Sequence, residues 1–185
     1  MGVSFGRNIE RSGLSYTIPS HNPFLNIKTV NGKKISNKTY RNGYTISMKG
    51  IFLGLTAKNT EQYNWVKLDK DKRDWAMTYI QAYPKGNIPN VTVDDTFHKP
   101  IKPGKKIALV NNGTHLHFGF PTAASKGGVA KYDFKVRDQK FKSQPAWVQP
   151  VTLKSGPHMN TGRKFLWTFI VAFDAMGGRF GFKWC

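Results

Sequence analysis

Short apolar runs, many with alternating polar positions, recur along this 185-residue chain between Gly, Asn and Pro residues. Apolar runs of this length, bounded by such turn-forming residues, are typical of strands in a half-buried sheet. No stretch keeps a 3.6-residue apolar period between helix caps, although residues 60–65 have room for one helical turn. The pattern predicts a mainly β fold with antiparallel sheets and strands at 44–55, 63–68, 75–83, 106–110, 114–120, 131–136, 147–153, 165–173 and 179–184.

The chain length favours one domain, or a compact core with an appended segment. The polar run 69–73 between two strand patterns predicts a hairpin over 63–83, and the Pro- and Asn-rich stretch 84–99 predicts a connection. A Gly- and Ser-containing loop pattern follows Pro121. We therefore place a boundary there, with one domain at 1–121 and a β-rich C-terminal extension, packed on the same core, at 122–185.

The charge of the chain predicts a polyanionic partner. It has 29 Lys and Arg against 10 Asp and Glu, a formal net charge of +19 that is spread along the whole sequence. Nucleic acid, anionic cell-wall polymers and membrane surfaces all attract such a charge. A basic surface kept for solubility is the other interpretation.

The compartment is indicated by what the sequence lacks. The first residues have no apolar stretch of the length that a secretory signal needs, and no run of about 18 apolar residues occurs. We expect no signal peptide, no membrane insertion and synthesis in the cytoplasm. Cys185 is the one cysteine, so a metal site in this chain would use His with carboxylate or amide oxygen.

Two histidines, His115 and His117, are two residues apart in an apolar and aromatic run. If the run is a strand, its period of two points both rings to one side and Leu116 to the other. Convergent imidazoles suit a zinc site in which one ring binds the metal and the other transfers protons. The pair is also common enough by chance that its residues alone leave a structural role open.

The surrounding residues resemble the lysostaphin/LytM-type zinc endopeptidases of peptidoglycan. The segment 101–110 followed by 113–120 is similar to the closing hairpin of that family, which ends in "T-G-x-H-L-H-F". Residues 50–55, 64–69 and 77–81 resemble its "G-x-V-x-x-A-G", "G-N-x-V-x-I-D-H" and "T-x-Y-x-H" segments in the same order. The resemblance covers residues 20 to 121, a little over half of the chain.

The resemblance implies a role for five residues. His117 falls on a zinc-ligand position, and His115 on the position of a histidine that assists the metal-bound water. Gln81 stands where the family has a further catalytic histidine; it can donate a hydrogen bond but is no base near neutral pH. His21 and Asn26 correspond to the remaining ligands, with Asn26 in place of an aspartate. An amide oxygen binds zinc more weakly than a carboxylate does, so the expected metal affinity is reduced.

The resemblance thus implies a zinc-dependent peptidoglycan endopeptidase with impaired catalysis. Without a secretory signal, such a protein would reach the wall as part of a phage virion or tail, or after release at lysis. Its expected partners are peptidoglycan or an anionic wall polymer, phage structural proteins and, because of the charge, nucleic acid.

Two interpretations from other classes stay open. The histidine pair could bind the metal of a DNA endonuclease in which Tyr132 is the nucleophile, with Lys135 three residues later. Alternatively, the chain is a non-enzymatic β-sandwich protein of a virion, or a nucleic-acid-binding protein whose charge neutralises phosphate.

Overall fold

The chain folds into two compact units. The computed structural model describes residues 22–36, 40–67, 79–83, 90–93, 109–121, 127–150 and 158–185. The first unit consists of the described residues before residue 77 and of Ile170–Trp184; the second consists of those in Met77–Phe169 and of Cys185. The boundary that we predicted after residue 121 falls inside the second unit, between two strands that pair with each other.

The described residues are mainly strands, which confirms the predicted mainly β, antiparallel fold. Two 3₁₀ helices, Lys58–Thr60 and Gly162–Trp167, accompany them. In chain order the strands are β1 (Thr29–Val30), β2 (Lys33–Lys34), β3 (Arg41–Ser47), β4 (Gly50–Leu55), β5 (Asn64–Lys67), β6 (Tyr79–Tyr83), β7 (Asn90–Val93), β8 (His115–Phe120), β9 (Ala130–Lys135), β10 (Val148–Pro150), β11 (His158–Asn160), β12 (Phe169–Asp174) and β13 (Arg179–Trp184).

The first unit is built on a five-stranded sheet in the order β4-β3-β12-β13-β5, beside the small β1–β2 pair. One face of this sheet carries an aromatic core, in which the rings of Tyr44 and Phe173 stack at 4.7 Å between centroids. Phe24 meets Tyr44 edge-on at 5.2 Å, and Phe180 meets Phe173 edge-on at 5.0 Å. Edge-to-face and offset aromatic pairs add to the free energy gained by burying the rings.

The second face of this sheet contains a buried carboxylate at the end of β12. Asp174 is fully buried and accepts hydrogen bonds from Arg179 Nε at 2.9 Å and from the Gly177 backbone amide at 2.8 Å. Arg41 Nη1 lies 3.7 Å from the same carboxylate. A buried charge is tolerated when it is paired and hydrogen-bonded in this way. Asp174 therefore links β12, β13 and β3.

The second unit contains two three-stranded sheets. One is antiparallel, in the order β6-β8-β9; in the other, β7 pairs antiparallel with β10 and parallel with β11. Alternate residues of β8 and β9 are buried and make an aromatic core, to which the 3₁₀ helix adds Phe165. The buried side chains of this core are Leu116, Phe118, Phe120, Tyr132, Phe134, Phe165 and Phe169.

Several local predictions differ from the structure. The single strand expected at 44–55 is two strands, β3 and β4, which pair antiparallel across a turn at 48–49. The expected hairpin over 63–83 is wrong, because β5 pairs with β13 and β6 pairs with β8. Residues 84–99 are not all connection, since β7 lies within them. The strand expected at 165–173 begins only at Phe169; the preceding residues form the 3₁₀ helix, which turns Phe165 into the aromatic core. Of the strand predicted at 106–110, the described residues 109–110 are not in a strand. Residues 68, 75–78, 106–108 and 151–153 of the predicted strands lie outside the described residues.

Asp174→Ala is expected to lower the free energy of unfolding by about 2–4 kcal/mol, because it leaves Arg179 and the Gly177 amide without their acceptor. Asp138→Ala is the control: Asp138 forms only a 4.0 Å ion pair with the exposed Lys140, so the loss should stay below about 1 kcal/mol. Urea unfolding of both variants measures the loss of unfolding free energy in each. Equal losses in the two would contradict the role given to Asp174.

Burial raises the pKa of Tyr44 to about 12 from an ordinary 10.0, while a side-chain hydrogen bond with Asn22 lowers it. Below about pH 10 the phenol is neutral in both the folded and the unfolded chain, so its contribution to stability is complete. As the pH rises from about 10 to 12 the unfolded chain ionises first, and the folded state loses about 1.4 kcal/mol by pH 11.

Tyr44→Phe should remove this part of the alkaline destabilisation, measured as the difference from wild type in unfolding free energy at about pH 8 and pH 11. Tyr40→Phe is the matched control, since Tyr40 is 39% exposed. The assignment fails if both phenylalanine variants follow the wild-type pH dependence.

Candidate functional site

The two histidines of β8 lie side by side on the face of the β6-β8-β9 sheet opposite to its aromatic core. Leu116 and Phe118 point into that core with 0% and 1% exposure, so the strand period turns His115 and His117 to the other side. Their ring centroids are 4.0 Å apart with an angle of 44° between the planes. The predicted convergence of the two imidazoles is thus present in the structure.

The neighbouring strand β9 places a carboxylate against one of these rings. Asp133 is the Cα partner of His117, and its Oδ1 lies 3.1 Å from His117 Nδ1. Lys131 Nζ approaches the other oxygen of Asp133 at 3.9 Å. Because an ionised carboxylate only accepts hydrogen bonds, the contact requires a proton on Nδ1, and in the neutral ring Nε2 then carries the lone pair.

The surroundings favour a neutral His115. Partial burial lowers the pKa of His115, the nearby His117 and Lys135 lower it further, and Asp133 acts in the opposite direction. A histidine whose pKa lies below its ordinary 6.5 is unprotonated near neutral pH. His115 is therefore able to accept a proton there.

Gln81 lies on β6, across the strand pair from the histidines. It is the Cα partner of His117, and Tyr83 is the partner of His115. The backbone thus lines up Gln81, His117 and Asp133 as one row across the three strands. The backbone of β6 thus lies next to the histidine strand. The membership of Gln81 in a site and its catalytic role stay predictions.

The other two predicted ligands are not gathered at the histidine pair by any described contact. Asn26 belongs to the first unit, where its side-chain amide donates to the Asn22 carbonyl at 2.8 Å. His21 lies outside the described residues. Within the described ranges, no three His, Cys, Asp or Glu side chains are placed to hold a metal ion. Asp133 bonds to a ring nitrogen of His117, which makes it a support for that ring and not a co-ligand beside it.

Asp133 is the residue that the sequence prediction missed. The signal was available, because Asp133 stands at a polar position in the strictly alternating run 130–135. The sequence of this run does not show which strand it pairs with or in which register. The pairing of β9 with β8 brings the Asp133 carboxylate to His117.

Tyr132, the nucleophile of the endonuclease interpretation, points the other way. It is 1% exposed, its ring packs at 5.9 Å from Phe118 and its hydroxyl donates to the Ser143 carbonyl. Tyr132 is therefore part of the aromatic core, on the sheet face opposite to the histidines.

No family model and no curated protein matches the chain. Across the described ranges, no helix is both long and apolar enough to cross a membrane.

Asp133→Ala is expected to change the tautomer of His117 in the metal-free protein. With Asp133 present, the proton should reside mainly on Nδ1; without it, Nε2–H should gain population, as it does in unconstrained imidazole. Long-range ¹H–¹⁵N correlation spectra of ¹⁵N-histidine protein above about pH 8 distinguish the two. Asp138→Ala serves as the control and should leave His117 unchanged. An Nε2–H tautomer in the wild type would contradict the contact.

Proposed function

We propose that this protein is a zinc-dependent endopeptidase-like hydrolase directed at peptidoglycan, with its reactive centre at His115 and His117. One observation carries the proposal. Two adjacent imidazoles share a sheet face, and of the two, His117 alone is hydrogen-bonded to a carboxylate among the residues that the structure describes. The resemblance of segments 50–55, 64–69, 77–81 and 101–120 to the peptidoglycan endopeptidases supplies the reaction class.

His117 is the metal ligand in this proposal. Metal-binding histidines commonly donate their other ring N–H to a carboxylate, which fixes the tautomer and makes the ligating nitrogen more basic. Asp133 is placed to do this for His117. The donor set fits a zinc site in part, since His117 with its supporting carboxylate lies within the described residues. The assignment of His21 and Asn26 as further ligands comes from the resemblance alone. The amide of Asn26 makes the site a weak one.

His115 is the proton-transfer residue. Its ring lies 4.0 Å from that of His117, the proposed metal ligand. Zinc, when bound, would activate water near neutral pH and polarise the scissile carbonyl. His115 would accept the proton of the attacking water and return it to the leaving amine. Gln81, in place of a second histidine, would only orient the substrate by a hydrogen bond.

The proposed substrate is a stem-peptide or cross-bridge amide of peptidoglycan. The net charge of +19 supports attachment to anionic wall polymers, which would raise the local substrate concentration. Association with a phage virion, or release at lysis, belongs to the same proposal.

Zinc binding tests the ligand assignment. The metal-stripped protein is expected to bind one zinc ion per chain, His117→Ala to lose it, and Asp133→Asn to bind it about 10- to 100-fold more weakly. Isothermal titration measures all three. His158→Ala is the control, because His158 lies in the other sheet of the unit. Wild-type protein that binds no zinc, or a His117→Ala variant that binds it unchanged, would rule out this site.

His115→Ala is expected to keep zinc binding and to lose clearing of a cell-wall suspension by about 100-fold or more, since it removes proton transfer and not a ligand. The turbidity assay is run beside the zinc titration on the same preparation. A His115→Ala variant with full clearing would contradict the role of this residue.

A further inference from the structure

The second face of the five-stranded sheet in the first unit combines aromatic rings with positive charge. In the register of β5 and β13, Trp65 lies opposite Gly181 and Lys67 lies opposite Arg179. The strand period adds Lys183 to the same side, because Phe180 and Phe182 are buried on the core side. We call this surface the Trp65 face, made of Arg41, Tyr63, Trp65, Lys67, Arg179 and Lys183.

Gly181 allows two rings to lie flat against the sheet. A Cβ atom at this position would lie 2.8 Å from the Trp65 ring and 2.9 Å from the Tyr63 ring, closer than side chains pack. The two rings are 5.7 Å apart at an angle of 30°. Because glycine has no side chain, its backbone within a strand can be covered by aromatic side chains from the neighbouring strand. The result is a small aromatic platform.

Two arginine side chains lie over the Trp65 ring of this platform. The guanidinium carbon of Arg179 lies 4.1 Å from the centroid of the Trp65 ring, and that of Arg41 lies 5.9 Å away. Both groups are oriented by the buried Asp174, and Arg41 Nη2 also donates to Thr60 at 3.2 Å. Their side chains keep 36% and 29% exposure, for Arg41 and Arg179 respectively.

The face has an excess of positive charge. Among the described residues of this face, one carboxylate, Asp174, stands against two guanidinium groups, which leaves one positive charge before the exposed Lys67 and the half-buried Lys183 are added. A guanidinium has five N–H donors, more than Asp174 and Thr60 take up. Donors of this kind bind phosphate oxygens.

We propose that the Trp65 face binds single-stranded nucleic acid, with bases stacked on Trp65, Tyr63 and the guanidinium planes and with phosphates at Arg41, Lys67 and Lys183. Aromatic rings alternating with cations are the means by which sheet surfaces hold unpaired strands without sequence preference. A polyol-phosphate wall polymer offers phosphates but no π-faces, so it would leave the aromatic platform unused. In a duplex the base faces are hidden by stacking.

This inference is independent of the proposed hydrolase function. The Trp65 face belongs to the first unit, whereas His115, His117 and Asp133 belong to the second. A His117→Ala variant should therefore bind nucleic acid as wild type does. Failure of one proposal leaves the other in place.

Fluorescence anisotropy with a labelled oligothymidylate of about 12 nucleotides, titrated with the whole protein, tests the proposal. Trp65→Leu keeps an apolar side chain over Gly181 but removes the stacking ring, and it should weaken binding by about 5- to 100-fold. Its matched control is Trp184→Leu, since Trp184 is 50% exposed but alternates with Lys183 and so lies on the other side of β13. The control should stay within about twofold of wild type.

The double variant Lys67→Gln/Lys183→Gln should weaken binding and reduce the slope of log affinity against log salt by about 1 to 2. Lys49→Gln/Lys58→Gln removes the same charge from a turn and from the 3₁₀ helix Lys58–Thr60 of the same unit, and it should have the smaller effect. Thermal melting shows whether each variant is folded. If Trp65→Leu is not folded, the two lysine pairs decide, since Lys49, Lys58 and Lys67 are exposed and Lys183 is half-buried.

Three results would overturn the proposal: equal effects of the two lysine pairs, a duplex of the same length bound as tightly as the single strand, or polyribitol phosphate bound more tightly than the oligonucleotide. The last would assign the face to a wall polymer. Weakening confined to Trp65→Leu and Lys67→Gln/Lys183→Gln, with single strand preferred, would confirm it.

Discussion

The candidate site depends on the alternation of buried and exposed side chains along β8 and β9. Leu116, Phe118, Phe120, Tyr132 and Phe134 fill one face of the sheet with at most 2% exposure. Burying each such side chain contributes about 1.5–3 kcal/mol. A slip of one residue in either strand would turn these groups to solvent and bury an imidazole or a carboxylate. The register that places Asp133 against His117 is therefore held by the core, not by the 3.1 Å hydrogen bond itself.

The five-stranded sheet of the first unit likewise has one apolar face and one polar face. Tyr44, Phe173 and Phe180 make the apolar face, and the opposite face carries Asp174 with its two arginines. The two faces are coupled, because Asp174 is fully buried and its charge is compensated only while β3 and β13 stay in place beside β12. The core thus positions the arginines, and the arginines make burial of the carboxylate possible. In both units a rigid aromatic layer supports polar groups that solvent can reach.

The histidine pair shows how far sequence reasoning reaches at a site. The two-residue spacing was enough to predict that both rings share a side, because a strand has no other way to display residues i and i+2. The same reasoning could not supply Asp133, since the pairing of β8 with β9 joins residues 16 positions apart. Nor could it show that Tyr132 is a core residue, although its chemistry would suit a nucleophile. Which groups surround an imidazole is a matter of long-range pairing.

The sequence by itself determined the mainly β character, the position of β13 and most of β8 and β9, because these strands carry their alternation locally. It marked the region of β3 and β4 as strand but not the turn that divides them. It also determined the charge excess that any partner must match. Only the tertiary structure decided the partners of β5 and β6, the strand β7 in an expected connection, and the assembly of Trp65, Gly181 and Arg179 into one face. Local periodicity specifies which side of a strand is buried. The choice of neighbour depends on how distant apolar faces fit together, and no window of sequence contains that information.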